Sequence, residues 1–525
     1  MTFKRNTTTT LSVHDRALGA YVRSREGDLI RCVGLHSQWV QRSWLTIRSA
    51  VTVRGPSLSQ HVRVCLPGNT LNFGSREVDV YESCRAKSEN VAGLILGPTP
   101  PGWSMSTTSI DKFFVELILA RINVDVHLVS PQSKAAAPTD STVEAIVSLF
   151  DAELRYRVPN DQWEAEGRAY FAAKVRFFVR HNLTLELCLP AFPCKSSNPD
   201  KVIGVLPDRG EEIALRQLHA FARNVKKVYP PGARISIISD GHVFSDCIGV
   251  DDKTVDEYGE RLKELNHAIS LELGQPNELV QFQSLVDLFD LKSLPDFASL
   301  GRMKLPDLPH YLPTILDDVA ELCRHILVSG CQPSRESLRS QIESGDESIV
   351  ALYRGFSRFM LEDLDQHPLT ESRSRTQRKK LASRVSFEMI LRNQAYSNLI
   401  ELLFPDYLRL SIHAHNNSGP KFGIRLFDTA TVRAVRELGF VDGNNGNEED
   451  EDVMTASHLL HIPTPWHNCI AQVAGDPTLY IVKYGVVKEA SFTQRYKSDM
   501  VKGHLANGRG AFVSLKRSAV PFGTM

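Results

Sequence analysis

The chain has 525 residues, with 61 basic and 61 acidic side chains and a formal net charge of zero. Apolar residues make up 42% and charged residues 23%, which is ordinary for a soluble globular protein and does not indicate a surface for nucleic acid or an anionic membrane. The nine cysteines include no CxxC pair, so we expect a reducing compartment and no disulfide scaffold. No apolar run reaches the roughly 20 residues of a membrane helix, and the first residues lack a secretory signal. We therefore expect a cytoplasmic protein that binds neither membrane nor nucleic acid.

The first part of the chain is the hardest to interpret. Residues 1 to about 105 hold short Thr-rich, Arg-rich and Pro/Gly-containing pieces without a sustained period. The stretch SPQSKAAAPTDST, 130–142, has the composition of a linker and ends where a helix start is expected. We predict an N-terminal segment at 1–140 of unassigned function and partly irregular structure, a main domain at 141–515 and a tail at 516–525.

From residue 142 the pattern becomes regular. Apolar spacing predicts helices at about 142–157, 161–180, 210–229 and 254–269 and a mainly helical region at 314–403. Alternation predicts strands at 183–193, 234–238, 279–289, 407–415, 421–428 and 478–492. Strands that alternate with helices of this length pair in parallel through crossovers. We therefore predict an α/β fold, a Rossmann-like and mostly parallel sheet flanked by helices, with a helical insertion and a strand-rich C-terminal section.

Acidic residues follow one of these strands. The stretch RISIISDGHVFSDCIGVDD, 234–252, ends its strand on a Ser-Asp-Gly turn, and ligands of open α/β sheets bind at the carboxyl ends of strands. Asp240 and Asp246 could face one crevice and act as a general acid and base, or hold Mg²⁺. The alternative is that Asp240 stabilises a turn and that Asp251 or Asp252 caps the next helix.

Basic residues occur at the same predicted edge and in the C-terminal section. Lys195 and Ser196, in LPAFPCKSSNP, suit a phosphate or carboxylate, although a solvated loop lysine is the alternative. In RLSIHAHNNSGPKFGIRL, 409–426, we predict a strand, a turn and a strand. Arg409 and His413 share one face of the first strand.

Lys421 and Arg425 share a face of the second strand, so the two strands together predict an anion site. The polar side of an amphipathic hairpin would give the same pattern. In TPWHN, Trp466 and His467 lie in a proline-stiffened loop, and a buried tryptophan beside a hydrogen-bonded histidine is the alternative. No spacing completes a zinc site around His413, and no GxSxG, P-loop or GxGxxG motif follows a strand.

Four stretches together resemble one family. ISDGHVFSDCIGVDDKTVDEYGERL, AYSNLIELLFPDYLRLSIHAH, KFGIRLF and TPWHN are similar in order and spacing to the pyoverdine and dityrosine biosynthesis family, the isocyanide (isonitrile) synthases. The resemblance covers about 141–515 and implies a Rossmann-type sheet. It also implies that the amine of an L-amino acid is joined to the C2 carbonyl of ribulose 5-phosphate, whose C2 becomes the isocyanide carbon. This chemistry implies no metal or redox cofactor, and a 2-oxoglutarate-dependent oxygenase in the pathway would be a separate protein.

The resemblance also suggests roles for the residues already singled out. One of Asp240 and Asp246 would be the general base and the other would orient the substrate or return the proton. The further catalytic candidates are His242, His413 and His467. The predicted substrate-binding residues are Lys195, Ser196, Arg409, Lys421, Arg425, Phe244, Trp466 and Asn468.

Three alternatives remain at this point. The first is an N-formyl amino acid as product, as in the dityrosine branch of the family. The second is a Mg²⁺-dependent phosphohydrolase in which Asp240 and Asp246 hold the metal. The third is a non-catalytic relative that keeps the sheet and binds a ligand.

Overall fold

The computed structural model describes residues 140–180, 182–275, 279–291, 308–331, 335–404, 407–434, 462–502 and 510–518, and six strands before them. Those strands, β1 to β6, are Tyr21–Arg23, Leu29–Gly34, Val62–Val64, Thr70–Phe73, Arg76–Ser83 and Leu94–Gly97. They form one sheet in the order β1-β2-β6-β5-β3, with β4 paired to β5. The rest of the N-terminal segment, and the predicted tail beyond residue 518, lie outside the described residues.

The main domain begins with two helices and then alternates strands and helices. Its first elements are α1 (Asp140–Leu149), α2 (Arg168–Arg180), β7 (Leu185–Pro190), α3 (Arg209–Val228), β8 (Ala233–Ser239), α4 (Gly241–Ile248), α5 (Asp252–Glu272) and β9 (Val280–Ser284). Single π-helical turns extend α1 to Leu154 and precede α2 from Trp163. Each predicted helix and strand up to residue 269 is present within a few residues of its expected bounds.

The central sheet has five strands in the order β11-β10-β7-β8-β9, where β10 is Leu408–Ser411 and β11 is Lys421–Gly423. All four neighbouring pairs are parallel. The chain starts in the middle at β7, builds outward through β8 and β9, and then returns to the other side of β7. The predicted Rossmann-like parallel sheet is therefore confirmed, and its switch point lies between β7 and β10, where such sheets bind ligands.

Two local predictions differ from the structure. The strands at 408–411 and 421–423 are neighbours but run parallel, with Arg409 opposite Lys421, and do not form a hairpin. The intervening segment folds back because Asn417 Nδ2 donates to Tyr156 O at 2.8 Å, which holds it away from a tight turn. The predicted strand at 279–289 ends at Ser284, since a capping box between Ser284 and Asp287 starts the short helix α6 (Leu285–Phe289).

A helical insertion covers one face of the sheet. It consists of α7 (Asp318–Cys331), α8 (Arg335–Glu343), α9 (Glu347–Asp365) and α10 (Arg375–Leu403). Its apolar side chains pack in one core with Cys188 of β7 and Ile238 of β8, whereas Leu187 and Ile237 face the opposite core built on α1, α2, α3 and α5. None of the described helices combines the length and apolarity needed to cross a membrane.

The C-terminal section is rich in strands, as predicted. Its elements are β12 (Val432–Ala434), β13 (Cys469–Val473), β14 (Leu479–Val482), α11 (Ala490–Arg495), β15 (Tyr496–Val501) and β16 (Phe512–Arg517). The strands form a mixed sheet in the order β12-β14-β13-β16-β15. Strand structure in the predicted stretch 478–492 ends at Val482. A hydrogen bond from Arg209 N to Ala511 O, 3.0 Å, ties this section to the start of α3.

Candidate active site

The loops that follow β7, β8 and β10 meet at the carboxyl edge of the parallel sheet. Ser239 Oγ, at the end of β8, donates to Phe192 O after β7 at 2.9 Å. Ser196 N, further along the same loop, donates to Trp466 O at 2.8 Å. The loop after β7 therefore contacts both the end of β8 and the Thr464–Asn468 turn, beside the switch point of the sheet.

Asp240 lies at the end of β8 and occupies the N-cap position of α4. Its side chain makes no capping hydrogen bond in the described part of the chain, so it does not serve the structural role that its position suggested. Its Oδ1 atom is enclosed and has no hydrogen-bond partner among the described residues. Burial raises the pKa of this carboxyl from 3.8 to about 7. Such a group can both accept and release a proton near neutral pH.

Gly241 explains how this edge can close so tightly. A Cβ at this position would lie 2.3 Å from Pro193 O and 2.5 Å from Val255 Cγ1. The first turn of α4 therefore contacts the backbone of the loop after β7, which only glycine permits. The Ser-Asp-Gly sequence places Asp240 against that loop.

Asp246 follows Asp240 by six residues but has a different environment. It is fully buried, and its Oδ1 lies 2.6 Å from Nη1 of Arg392 on α10. Its Oδ2 lies 3.8 Å from Nδ1 of His310. Asp246 is thus engaged in an ion pair with the helical insertion, and its predicted role in proton transfer stays a prediction. Among the described residues, no three His, Cys, Asp or Glu side chains are arranged to hold a metal ion.

The other predicted residues of α4 face its neighbours. His242 is buried, and its Nε2 lies 3.0 Å from Oδ1 of Asp256 on α5. Phe244 is part of the core beneath the helical insertion. Asp251 does not cap α5, because its side chain accepts from Ile315 N at 2.7 Å instead.

Lys195 is enclosed in a cluster of charged groups. Its Nζ lies 2.7 Å from Asp208 Oδ2 and 2.8 Å from Glu211 Oε2, and it donates to Pro465 O at 2.9 Å. Asp208 and Glu211 form the capping box of α3. Burial raises the pKa of Asp208 to about 7. The structure gives the Lys195 ammonium three acceptors within the protein, so its predicted contact with a substrate anion stays a prediction.

Substitution of Lys195 distinguishes a structural role, as the cation of this buried cluster, from the predicted role in substrate binding. Lys195→Met leaves two buried carboxyl groups without their cation, so we expect the free energy of unfolding to fall by about 3 kcal/mol. The loss should be larger at pH 8 than at pH 5, because Asp208 can take up a proton at the lower pH. Urea unfolding measures both values, and Lys263→Met, on the exposed face of α5, is the matched control. A variant as stable as the wild type but with a raised KM would favour the substrate role.

Ser196 and its neighbours connect the loop after β7 to α9. Ser196 Oγ donates to Asp363 Oδ1 at 2.7 Å. Nζ of the buried Lys201 lies 2.8 Å from the same oxygen and 3.3 Å from Glu362 Oε2, and Lys483 also pairs with Glu362. The sequence analysis missed this group, since no local pattern links residues at 201, 362 and 483.

His467 lies beside this group in the 3₁₀ turn Pro465–His467. Its Nδ1 is 3.1 Å from Thr464 Oγ1, and its ring contacts Phe359 edge-on at 4.9 Å between centroids. Burial, reinforced by Lys201 and other nearby cations, holds the pKa of this imidazole well below its usual value. His467 is therefore neutral at physiological pH, and its lowered pKa makes it a weak base.

The end of β10 contributes two further histidines. Ile462 N donates to Ile412 O at 3.2 Å, which brings the segment before the Thr464–Asn468 turn to this strand end. His413 is close enough to His467 to lower the pKa of that residue. Ser411 Oγ accepts from His413 N at 3.1 Å and lies 3.0 Å from Nε2 of His415. His415, two residues after His413, therefore lies at the same edge.

The remaining predicted residues divide into separate groups. Arg409 Nη1 and Lys421 Nζ both contact Ser397 of α10, at 3.2 and 2.9 Å. Arg409 aligns across β7 with Ser236, which precedes Asp240 by four residues. The backbone of Arg409 is therefore displaced from that of Asp240 by about 13 Å along the strand direction. Arg425 lies elsewhere, since its Nε donates to Glu153 O at 3.1 Å.

Trp466 and Asn468 stabilise the turn that carries His467. Trp466 is 1% exposed and packs on Phe192 with ring centroids 4.9 Å apart. Asn468 Nδ2 donates to Thr464 O at 2.8 Å. Their direct contact with a substrate stays a prediction.

The sequence matches a family model and relatives from yeast and bacteria. A family model described as pyoverdine/dityrosine biosynthesis protein matches residues 175–494. The spore wall maturation protein DIT1 of Saccharomyces cerevisiae is 43% identical over 349 residues, which cover 66% of this chain and 62% of the yeast protein. The L-tyrosine isonitrile synthase of Xenorhabdus nematophila is 34% identical over 293 residues, which cover 55% of this chain and 78% of that enzyme.

A solved structure supports the same assignment at the level of fold. The crystal structure of the PvcA protein from Pseudomonas aeruginosa matches with a TM-score of 0.54 at 23% identity and covers 71% of this chain and 99% of the other. The family match includes all five strands of the parallel sheet, the helical insertion and the Thr464–Asn468 turn. The resemblance seen in the sequence is thereby confirmed, and the chain belongs to the pyoverdine/dityrosine biosynthesis protein family.

Proposed function

We propose that this chain is an isocyanide synthase that joins the amine of an L-amino acid to the C2 carbonyl of ribulose 5-phosphate. The observation that carries the proposal is Asp240, a half-buried carboxyl at the ligand-binding edge of the sheet with a pKa of about 7. The name of the Xenorhabdus relative, L-tyrosine isonitrile synthase, supports the class of substrate and product.

Asp240 suits the first step of this chemistry. An amine and a ketone give an imine and one water, without oxidation or reduction. The substrate ammonium must first lose a proton, which the Asp240 carboxylate accepts, and the freed lone pair then attacks C2. The protonated carboxyl returns the proton to the carbinolamine hydroxyl, which leaves as water. A pKa near 7 allows both transfers at neutral pH.

Other residues at the edge serve the later proton transfers and hold the substrates. His467 is the further proposed proton-transfer group at the carbon next to C2, where its neutral imidazole can relay a proton although its lowered pKa makes it a weak base. His413, Arg409 and Lys421 are the proposed partners of the carboxylate and phosphate groups. We assign the base to Asp240 and the orienting role to Asp246, because Arg392 holds Oδ1 of Asp246 in an ion pair. The proposed steps need no cofactor, and a separate 2-oxoglutarate-dependent oxygenase and a cytoplasmic location remain predictions.

An N-formyl amino acid is the second candidate product. The 43% identity to the yeast spore wall maturation protein favours it, since the family resemblance implies a formyl product for the dityrosine branch. Hydration of an isocyanide gives the formamide, so both products share the same condensation. The two functions differ only in the last addition of water.

Mass spectrometry of a defined reaction tests the proposal. Purified protein is incubated with ribulose 5-phosphate and a mixture of natural amino acids, with Asp240→Asn in parallel. An isocyanide product is heavier than its amino acid by one carbon less two hydrogens, and a formamide is heavier by one further water. Ribulose 5-phosphate labelled with ¹³C at C2 must pass its label to the product.

Each outcome has a distinct meaning. A labelled isocyanide that is absent with Asp240→Asn supports the proposal and identifies the amino acid. A labelled formamide that appears without a preceding isocyanide supports the second candidate. If every amino acid and the sugar phosphate are recovered unchanged, the catalytic proposal is wrong.

A further inference from the structure

Two buried arginines extend from the helical insertion to α4, the short helix that begins directly after Asp240. Arg324 Nη1 donates to His242 O at 3.0 Å, and Arg392 Nη1 donates to Val243 O at 3.1 Å. Both guanidinium side chains are 0% exposed. They therefore bind backbone carbonyl groups in the first turn of α4, which follows directly on Asp240.

The same two arginines also bind buried carboxylates, one in α4 and one at the start of α5. Arg392 pairs with Asp246 of α4 at 2.6 Å, and Arg324 Nη2 pairs with Asp252 of α5 at 2.7 Å. Arg324 Nη1 also lies 3.2 Å from Ser245 Oγ. Two guanidinium groups thus connect the first turn and the middle of α4, and the start of α5, to the insertion.

Each arginine is itself held by a glutamate of its own helix. Glu388 Oε1 accepts from Arg392 Nε at 3.1 Å, four residues earlier on α10. Glu321 Oε2 accepts from Arg324 Nε at 2.8 Å, three residues earlier on α7. The spacing keeps each guanidinium extended toward α4.

The far end of α4 is also restrained. His367 Nε2 lies 3.2 Å from Gly249 O, and Gly249 has a left-handed φ of 77°. A Cβ on Gly249 would lie 2.6 Å from both His367 Nε2 and Leu312 Cδ1. With Gly241 against Pro193 at its start, α4 cannot shift without disrupting buried contacts.

We infer that Arg324 and Arg392 are positioning residues that hold the first turn of α4, and through it the Asp240 carboxyl, against the loop after β7. Buried ion pairs add little net stability compared with apolar packing, and in some proteins their role is to fix one geometry. The helical insertion then serves to orient the Asp240 carboxyl, which lies at the end of β8. This inference rests on the proposed function of Asp240.

The test is the double variant Asp246→Asn/Arg392→Gln in the full chain. It removes both charges of one pair and the hydrogen bond to Val243 O, while the buried Glu388 keeps its ion pair with Arg335 at 2.6 Å. The matched control is Arg378→Gln/Asp365→Asn, which neutralises an ion pair of 3.1 Å between α9 and α10. Thermal melting first establishes that each variant is folded.

The kinetic readouts are kcat, KM and the pH midpoint of kcat/KM. We expect kcat to fall about 100-fold, as for a catalytic group displaced by about 1 Å, with KM changed less than about threefold. The midpoint should move below pH 7, because a loosened turn admits water to Asp240. The Tyr396 phenol and the Cys194 thiol near Asp240 stay neutral in this pH range, since burial raises the pKa of both groups. A folded double variant with wild-type kcat and midpoint would overturn the inference.

Two further measurements keep the result unambiguous. If the double variant does not fold, Arg324→Lys is used, which keeps the charge beside Asp252 but loses the fork that also binds His242 O. An NMR titration of the ¹³C-labelled Asp240 carboxyl reports its environment without any turnover. If the wild type makes no product, the proposed function fails, whereas an unchanged Asp240 midpoint in folded variants overturns the positioning role.

Discussion

Replacement of Asp240 by asparagine is expected to abolish product formation and to make the folded protein more stable at neutral and alkaline pH. A general acid or base contributes about 10²- to 10⁴-fold to a rate, and the amide can neither accept nor release the proton. The loss should appear in kcat, because the substituted group acts on the reacting atoms.

The gain in stability follows from the raised pKa. The pKa of Asp240 moves from 3.8 to about 7 on folding, so the folded wild type binds its proton more tightly than the unfolded chain does. Wild-type stability therefore decreases as the pH rises from about 4 to about 7 and then levels off. Asparagine carries no charge, so the variant avoids this loss, which is on the order of 4 kcal/mol.

Urea unfolding at pH 5 and pH 8, together with the product assay, measures both effects. We expect the variant to be much more stable than the wild type at pH 8, with a gain at pH 5 that is roughly a third as large. Asp499→Asn, at a side chain 65% exposed on β15, is the matched control and should change neither quantity. Retained activity, or a stability difference that does not depend on pH, would contradict the role assigned to Asp240.

Replacement of Gly241 by alanine is expected to destabilise the protein and to reduce activity. The new Cβ would meet Pro193 O at 2.3 Å, and this backbone atom cannot move away by a change of rotamer. Overpacking of this kind costs about 1–3 kcal/mol and sometimes more. The strain separates α4 from the loop after β7, so Asp240 should be displaced as well.

Gly259→Ala is the matched control for this substitution. Gly259 lies within α5, and no described atom outside its own helix lies within 4 Å of the position that its Cβ would take. Alanine there should raise the free energy of unfolding by about 0.5–1 kcal/mol, because glycine is a poor helix former. Chemical unfolding and the product assay compare the two variants. If Gly241→Ala behaves like Gly259→Ala, the close approach at Pro193 is not structurally important.

Local patterns in the sequence were sufficient for most of the fold. The alternation at 234–238, the helical spacing at 254–269 and the turn between them predict a parallel sheet whose carboxyl edge carries Asp240. Each of these features depends on residues close together in the chain. For the same reason four stretches, each of them local in the chain, were together enough to suggest the family that the comparisons support.

Contacts between distant parts of the chain decided the environment of the site. Asp246 and Arg392 are 146 residues apart, and Lys195 and Pro465 are 270 apart, so no spacing in the sequence predicts either contact. The parallel course of β10 and β11 likewise depends on Asn417, which binds the backbone of Tyr156. A charged side chain in a motif can bind a substrate or a partner within the fold, and burial determines which. The sequence alone determined the fold class and the position of Asp240, whereas only the tertiary structure could show that Asp240 has no capping bond while Lys195 and Asp246 are paired.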